Sequence, residues 1–156
     1  MYERDYGYKY HEVREYAGAA EIAKAIRADI KQAKAEGLLP RDWSYSVRSS
    51  NFAGGCAIDV TVNGPREAII VDEDMTRCPV DGRNGRPMCQ PGFHRWAKCE
   101  GARHLTELAE VTEMTLKRIH DAYNHDGSES MTDYFDVRYY GQVNFDYSLW
   151  RAPANA

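Results

Sequence analysis

The chain has 156 residues, 43% apolar and 28% charged, with a formal charge of −4. This length suits one globular domain burying about two thirds of its unfolded surface. With no run of about 18 apolar residues and no charged-then-apolar leader, neither a membrane span nor a secretory signal is expected, and a net negative body is no general coat for nucleic acid. A cytoplasmic protein is expected, so Cys56, Cys78, Cys89 and Cys99 are read as reduced thiols or metal ligands rather than bridges.

Residues 1–17 form a Tyr-rich arm in which Tyr6, Tyr8 and Tyr10 alternate as a short edge strand would. From Gly18 to Glu36 the spacing of Ile22, Ala23, Ile26, Ile30 and Ala33 predicts an amphipathic helix, with Gly37 closing it and Pro40 preventing resumption. Trp43 to Val62 reads as a hairpin. Trp43, Tyr45 and Val47 share one face of its first strand, Cys56, Ile58, Val60 and Val62 share one face of its second, and Ser49 to Gly55 is expected to be the connection. After the Asn63-Gly64-Pro65 turn, a third strand is expected over Arg66 to Val71.

Residues 75–103 hold four glycines, three prolines and three cysteines, the composition of an irregular insertion. They also carry six Arg or Lys against two acids, a local +4 that leaves −8 for the rest of the chain. Leu105 to Tyr123 returns to helical period, with Leu105, Leu108, Ala109, Thr112, Leu116, Ile119 and Tyr123 on one face, acids early and bases late. Met131 to Tyr140 and Gln142 to Leu149 then look like an antiparallel pair pivoting near Gly141. The fold class expected is α+β in a single domain over 1–156: a two-layer sandwich, with a largely antiparallel sheet of about four to five strands and two amphipathic helices on one face.

Cys78, Cys89, His94 and Cys99 stand as C-x10-C-x4-H-x4-C. Thiolates and an imidazole are zinc donors, and the second half of the pattern has knuckle spacing, although ten residues replace the tight first turn. A long loop without regular structure needs a local tie, which favours a structural zinc with no open position; His104 is a substitute ligand, and three plain thiols are the alternative. Arg48, Ser49 and Ser50, read at a hairpin end beside Gly54-Gly55, are a candidate anion site, the alternative being a surface turn. Arg83, Arg86, Arg95 and Trp96 are candidate partner-binding residues in the basic insertion. A calcium loop at Asn124, Asp126, Ser128, Ser130 and Asp133 lacks the closing glutamate. His120, His125, Asp126, Asp133 and Asp136 are the acid–base candidates, and no catalytic signature joins them.

The stretches AAEIAKAIRADIKQA, WSYSVRSSNFAGGCAIDVTVNGP and AYNHDGSESMTDYFDVRYYGQV together resemble a large polyvalent protein-associated domain, number twenty-nine, of phages and conjugative elements. The resemblance covers most of the chain outside 75–103. It implies a module that helps mobile DNA establish itself or resist host defence, and it supplies no catalytic residues. The expected function is therefore a non-enzymatic accessory protein in the host cytoplasm, binding a host protein or nucleoprotein through the basic insertion. One alternative is a nucleic-acid binder, with Arg77, Arg83, Arg86, Arg95 and Lys98 on phosphates and Phe93 or Trp96 stacked on a base. The other is an enzyme of unknown reaction.

Overall fold

In the computed structural model, which describes residues 5–96, 98–128 and 136–151, the first apolar stripe winds into a helix as its spacing predicts. After strand β1 (Asp5–Tyr6), helix α1 runs Ala19–Ala35 and buries Ile22, Ala23, Ile26, Ile30 and Ala33. Gly37 (φ +77°) ends it. The Leu38 amide donates to the Ala33 carbonyl at 2.9 Å and the Gly37 amide to that of Lys34 at 3.2 Å, the paired bonds of a glycine-terminated helix.

Strands β2 (Ser44–Phe52) and β3 (Gly55–Asn63) form the hairpin. Ile58, Val60 and Val62 are buried on the expected face, and Val47 and Trp43 on the facing strand and its entry. The connection is shorter than the sequence suggests. Pairing continues through Ser49↔Ile58 and Ser50↔Ala57 to Phe52↔Gly55, leaving Ala53-Gly54 as the turn, with Gly54 at φ +104°. Serine and asparagine are poor strand formers, but a complete partner strand and a tight glycine turn carry the ladder across them.

Residues 66–71 are not a strand: α2 (Arg66–Ile69) is one short turn, and only Ile70–Val71 (β4) is extended. β4 pairs antiparallel with β5 (His104–Leu105). Helix α3 comes next at Glu107–Asp121, its first turn closed by the Thr106 hydroxyl, which accepts from the Ala109 amide at 3.2 Å. Ala109, Thr112, Leu116 and Ile119 are buried as their period requires, but Leu108 is 51% exposed.

β6 (His125–Asp126) pairs with β1, and β7 (Val143–Phe145) pairs with β3. The expected C-terminal antiparallel pair is thereby corrected. β7 runs parallel to β3 at Val60↔Val143, Thr61↔Asn144 and Val62↔Phe145, with α3 in the crossover that parallel neighbours require. Gly141 (φ +115°) permits the approach, since a Cβ there would stand 1.9 Å from the Ile58 carbonyl oxygen. Met131 to Phe135 of the expected first strand, with Ser130 and Asp133, lie outside the described residues.

The fold is thus mixed α+β, with three α-helices among the described residues. Among those residues seven strands lie in sheets of two, three and two rather than in one sheet of four to five. Two compact units result: Met1–Gly64 with Val111–Asp146, and Pro65–Glu110 with Tyr147–Ala156. In the first unit α1 lies against β2 and β3, and the Arg27 guanidinium donates to the Val47 carbonyl at 2.6 Å. There too the Arg138 guanidinium donates to the carbonyls of Tyr10 and Tyr123 (both 3.0 Å), Arg14 (2.6 Å) and Glu15 (3.2 Å), which ties down the N-terminal arm. No helix among the described residues is long and apolar enough to cross a membrane.

Candidate metal centre

The second unit is organised by the ends of its long loop. β4 and β5 clamp those ends together, and the Asp74 amide donates to the Gly101 carbonyl at 2.9 Å. The Asp74 carboxylate caps a 3-10 turn, Met75–Arg77, by accepting from the Thr76 amide at 3.0 Å, and this turn delivers Cys78.

Beyond Cys78 the chain forms two short hairpin arms. In the first, the Met88 amide donates to the Pro79 carbonyl (2.9 Å) and the Asp81 amide to that of Arg86 (2.8 Å), so Cys78 and Cys89 flank its base. The ten residues between these cysteines, too many for a knuckle turn, are this arm. In the second, Gln90 and Phe93 exchange backbone bonds of 2.9 Å across Pro91-Gly92, with Gly92 at φ +75°, so Cys89 and His94 flank a tight turn. Cys99 then sits in a turn of its own, its amide donating to the Trp96 carbonyl and its carbonyl accepting from the Ala102 amide.

These turns bring Cys78, Cys89, His94 and Cys99 together, with one donor atom from each within 4.8 Å of the others. Cys89 Sγ is 3.8 Å from Cys99 Sγ, Cys99 Sγ is 3.7 Å from Cys78 Sγ, and Cys78 Sγ is 3.6 Å from His94 Nδ1. A tetrahedral ion with metal–sulfur bonds of about 2.3 Å and a metal–nitrogen bond of about 2.0–2.1 Å requires S···S edges of about 3.8 Å and S···N edges of about 3.5–3.6 Å. These three of the six separations match those edges, the remaining three lie within 4.8 Å, and the S···S distances are far longer than a disulfide bond of about 2.05 Å. The cluster is compatible with a structural metal site.

The surroundings agree. The other imidazole nitrogen of His94, Nε2, is 2.9 Å from the Glu73 carboxylate, whose same oxygen accepts from the Gly92 amide at 2.7 Å. A carboxylate on the outer nitrogen fixes the ring so that Nδ1 faces the sulfurs, the usual support of a metal-binding histidine. The Arg95 amide donates to Cys89 Sγ at 3.5 Å. Gly101 leaves space that no other residue would, since a Cβ there would stand 2.3 Å from Cys78 Sγ.

Electrostatics point the same way. Burial first, and then the neighbouring thiols, push Cys78 up to about 12. Against the effect of burial, the Gly101 amide and then His94 draw Cys99 down to about 7. His94 is raised, mainly through Cys99 and next through Glu73, and Glu73 is lowered by the Gly92 amide ahead of His94. Three crowded sulfurs do not ionise together without a cation among them. A bound dication removes that conflict.

The remaining candidates fall elsewhere. His104 lies outside the cluster, its Nδ1 2.7 Å from the Ala102 carbonyl. Cys56 lies in β3, 3.6 Å from the Arg138 carbonyl. Arg48, Ser49 and Ser50 are exposed residues within β2, paired with Asp59, Ile58 and Ala57, rather than at a hairpin end. Arg83, Arg86, Arg95 and Trp96 are exposed on the two arms of the loop. Asn124 caps local backbone, its Oδ1 accepting from the amides of His125, Arg138 and Tyr139, which explains that residue without calcium.

Of the acid–base candidates, His120 is buried, its Nε2 donating to the Ile58 carbonyl at 2.7 Å. His125 Nε2 is 3.1 Å from Asp136 beside a cleft of about 350 Å³ also lined by Asp126. His125 Nδ1 is buried with no hydrogen-bond partner among the described residues. Glu73 and Gly101 are the site residues that ligand spacing does not reveal; Glu73 sits in a run of three acids, and only the fold singles it out. The chain matches no protein-family model, no curated protein and no solved structure.

Proposed function

We propose that the chain is a non-enzymatic binding module, of the accessory kind carried by phages and mobile elements, acting in the host cytoplasm on a host protein or nucleoprotein. Its scaffold is read as two layers, α1 and α3 over the three-stranded sheet. A structural zinc held by Cys78, Cys89, His94 and Cys99 orders the basic loop as its contact surface. The observation that carries this reading is the convergence of three thiol sulfurs and His94 Nδ1 within 4.8 Å, three of their six separations having tetrahedral edge lengths.

Zinc is the ion of choice because three thiolates and one imidazole are soft-to-borderline donors, and four protein ligands leave no position for substrate water. The centre therefore staples rather than catalyses. Reduced, buried thiols accord with a cytoplasmic setting. Elemental analysis of protein purified without chelator is the test: about one zinc per chain is expected, lost in Cys89→Ser and Cys99→Ser. In a pull-down from host lysate, the wild-type chain should recover one protein or nucleoprotein partner that Arg83→Glu and Arg95→Glu release. A metal-free chain with an ordered loop would overturn the staple.

A further inference from the structure

We infer that the two arms of the zinc-stapled loop bind single-stranded nucleic acid, so that the contact made by this surface is with an unpaired strand. The inference rests on the loop being the contact surface. Its own support is which side chains the arms leave uncommitted.

Of the six cations in residues 75–103, two are engaged within their own unit. Arg77 pairs with Glu100 at 3.9 Å, and Arg103 contacts Asp72 at 3.2 Å and the Trp150 carbonyl at 2.6 Å. Among the described residues, the side chains of Arg83, Arg86 and Lys98 have no carboxylate partner, and Arg95 lies over the Trp96 ring at 5.6 Å from its centroid. Arg83 and Arg86 ride the tip of the first arm, whose turn is held by the Asp81 and Asn84 side chains accepting from their amides.

The second arm is shaped by its ligand. While His94 turns inward to the sulfurs, Phe93 is 71% and Trp96 43% exposed. Water-facing rings also occur elsewhere on the chain, as at Tyr8, Tyr16 and Tyr147, but here they stand in its one strongly basic segment. A polyanion with flat apolar faces answers both features, since phosphates meet the cations and bases stack on the rings. A duplex hides its base faces, which is why an unpaired strand fits and a double helix does not. The −8 carried by the rest of the chain repels phosphate and confines contact to the arms.

The test is fluorescence anisotropy of zinc-loaded protein with labelled oligothymidylate and oligouridylate of about 20 nucleotides, and with a duplex of equal length, over a salt series. The expected result is single-strand affinity at least about tenfold above duplex, with a log–log salt slope near −3 for four cations. Trp96→Ala should weaken binding about five- to hundredfold, and Arg83→Glu with Arg86→Glu should flatten the slope by about 1.4, both at unchanged zinc content. Zinc-loaded protein that binds no oligonucleotide, or binds duplex equally well, overturns the inference and leaves the binding module standing. A nuclease-resistant protein partner captured through these same arms overturns it as well. Protein that carries no zinc and has unprotected arms overturns both.

Discussion

Glu73 touches no sulfur, yet it decides how His94 presents itself. Removing a carboxylate behind a metal-binding imidazole typically costs about 10–100-fold in metal affinity. Glu73→Ala is accordingly expected near the upper end of that range, since it loses both the His94 and the Gly92 contacts, and Glu73→Gln near the lower; competition against a chromogenic chelator reads both. Gly101→Ala puts a methyl where Cys78 Sγ and the Asp74 carbonyl already stand, at 2.3 and 2.6 Å. It should expel the metal while helix content, followed by circular dichroism, barely changes. Asp72 offers a pH test. Chiefly through its hydrogen bond from Arg66, its carboxyl is held below the ordinary value of 3.8. A lowered folded value means that its contribution is complete above 3.8 and is lost as pH falls through the folded value. Asp72→Asn should therefore lower the melting temperature at neutral pH, with the gap to wild type closing as the solution becomes strongly acidic.

Among the elements, the parallel seam between β3 and β7 depends on one backbone conformation. Gly141→Ala needs both a disfavoured φ and a Cβ inside the van der Waals radius of the Ile58 carbonyl. Its destabilisation in urea titration should exceed in size the ~0.4–1 kcal/mol that Gly→Ala gains where the backbone is compatible. Ile26→Ala, which hollows the fully buried stripe of α1, should cost about 2–5 kcal/mol by the same measurement. These elements differ in how plainly the sequence announces them. α1 and the buried faces of β2 and β3 are legible because period and burial coincide, and the cluster of Cys78, Cys89, His94 and Cys99 because its chemistry is distinctive. Strand β7 is not: Val143 and Phe145 alternate in any β-pairing, and alternation says nothing of which neighbour is taken or in which direction. The Arg66–Val71 run misleads for a related reason, since an apolar stretch of that length suits a helical turn as well as a strand. Glu73 stays hidden because its role depends on two loops meeting, which spacing along one chain does not encode.

For the molecule as a whole, two compact units with separate sources of order imply separable responses to metal removal. In the second unit the three cysteines are the buried core of the loop, with Met75 and Ala102 against them, so little apolar material replaces the ion. Chelation should speed amide exchange across residues 74–102 while the amides of α1, β2 and β3 keep their protection; hydrogen-exchange mass spectrometry resolves the two. Uniform loss of protection would show that the ion supports more than its own loop.

The pairing of Val60 with Val143 also sets an order of events during synthesis. The last ligand, Cys99, leaves the ribosome well ahead of β7; at the usual elongation rates the interval is about 2–9 s. Throughout that interval all four donors of the candidate centre are already available, while the far edge of the hairpin waits unpaired and open to strands of neighbouring chains.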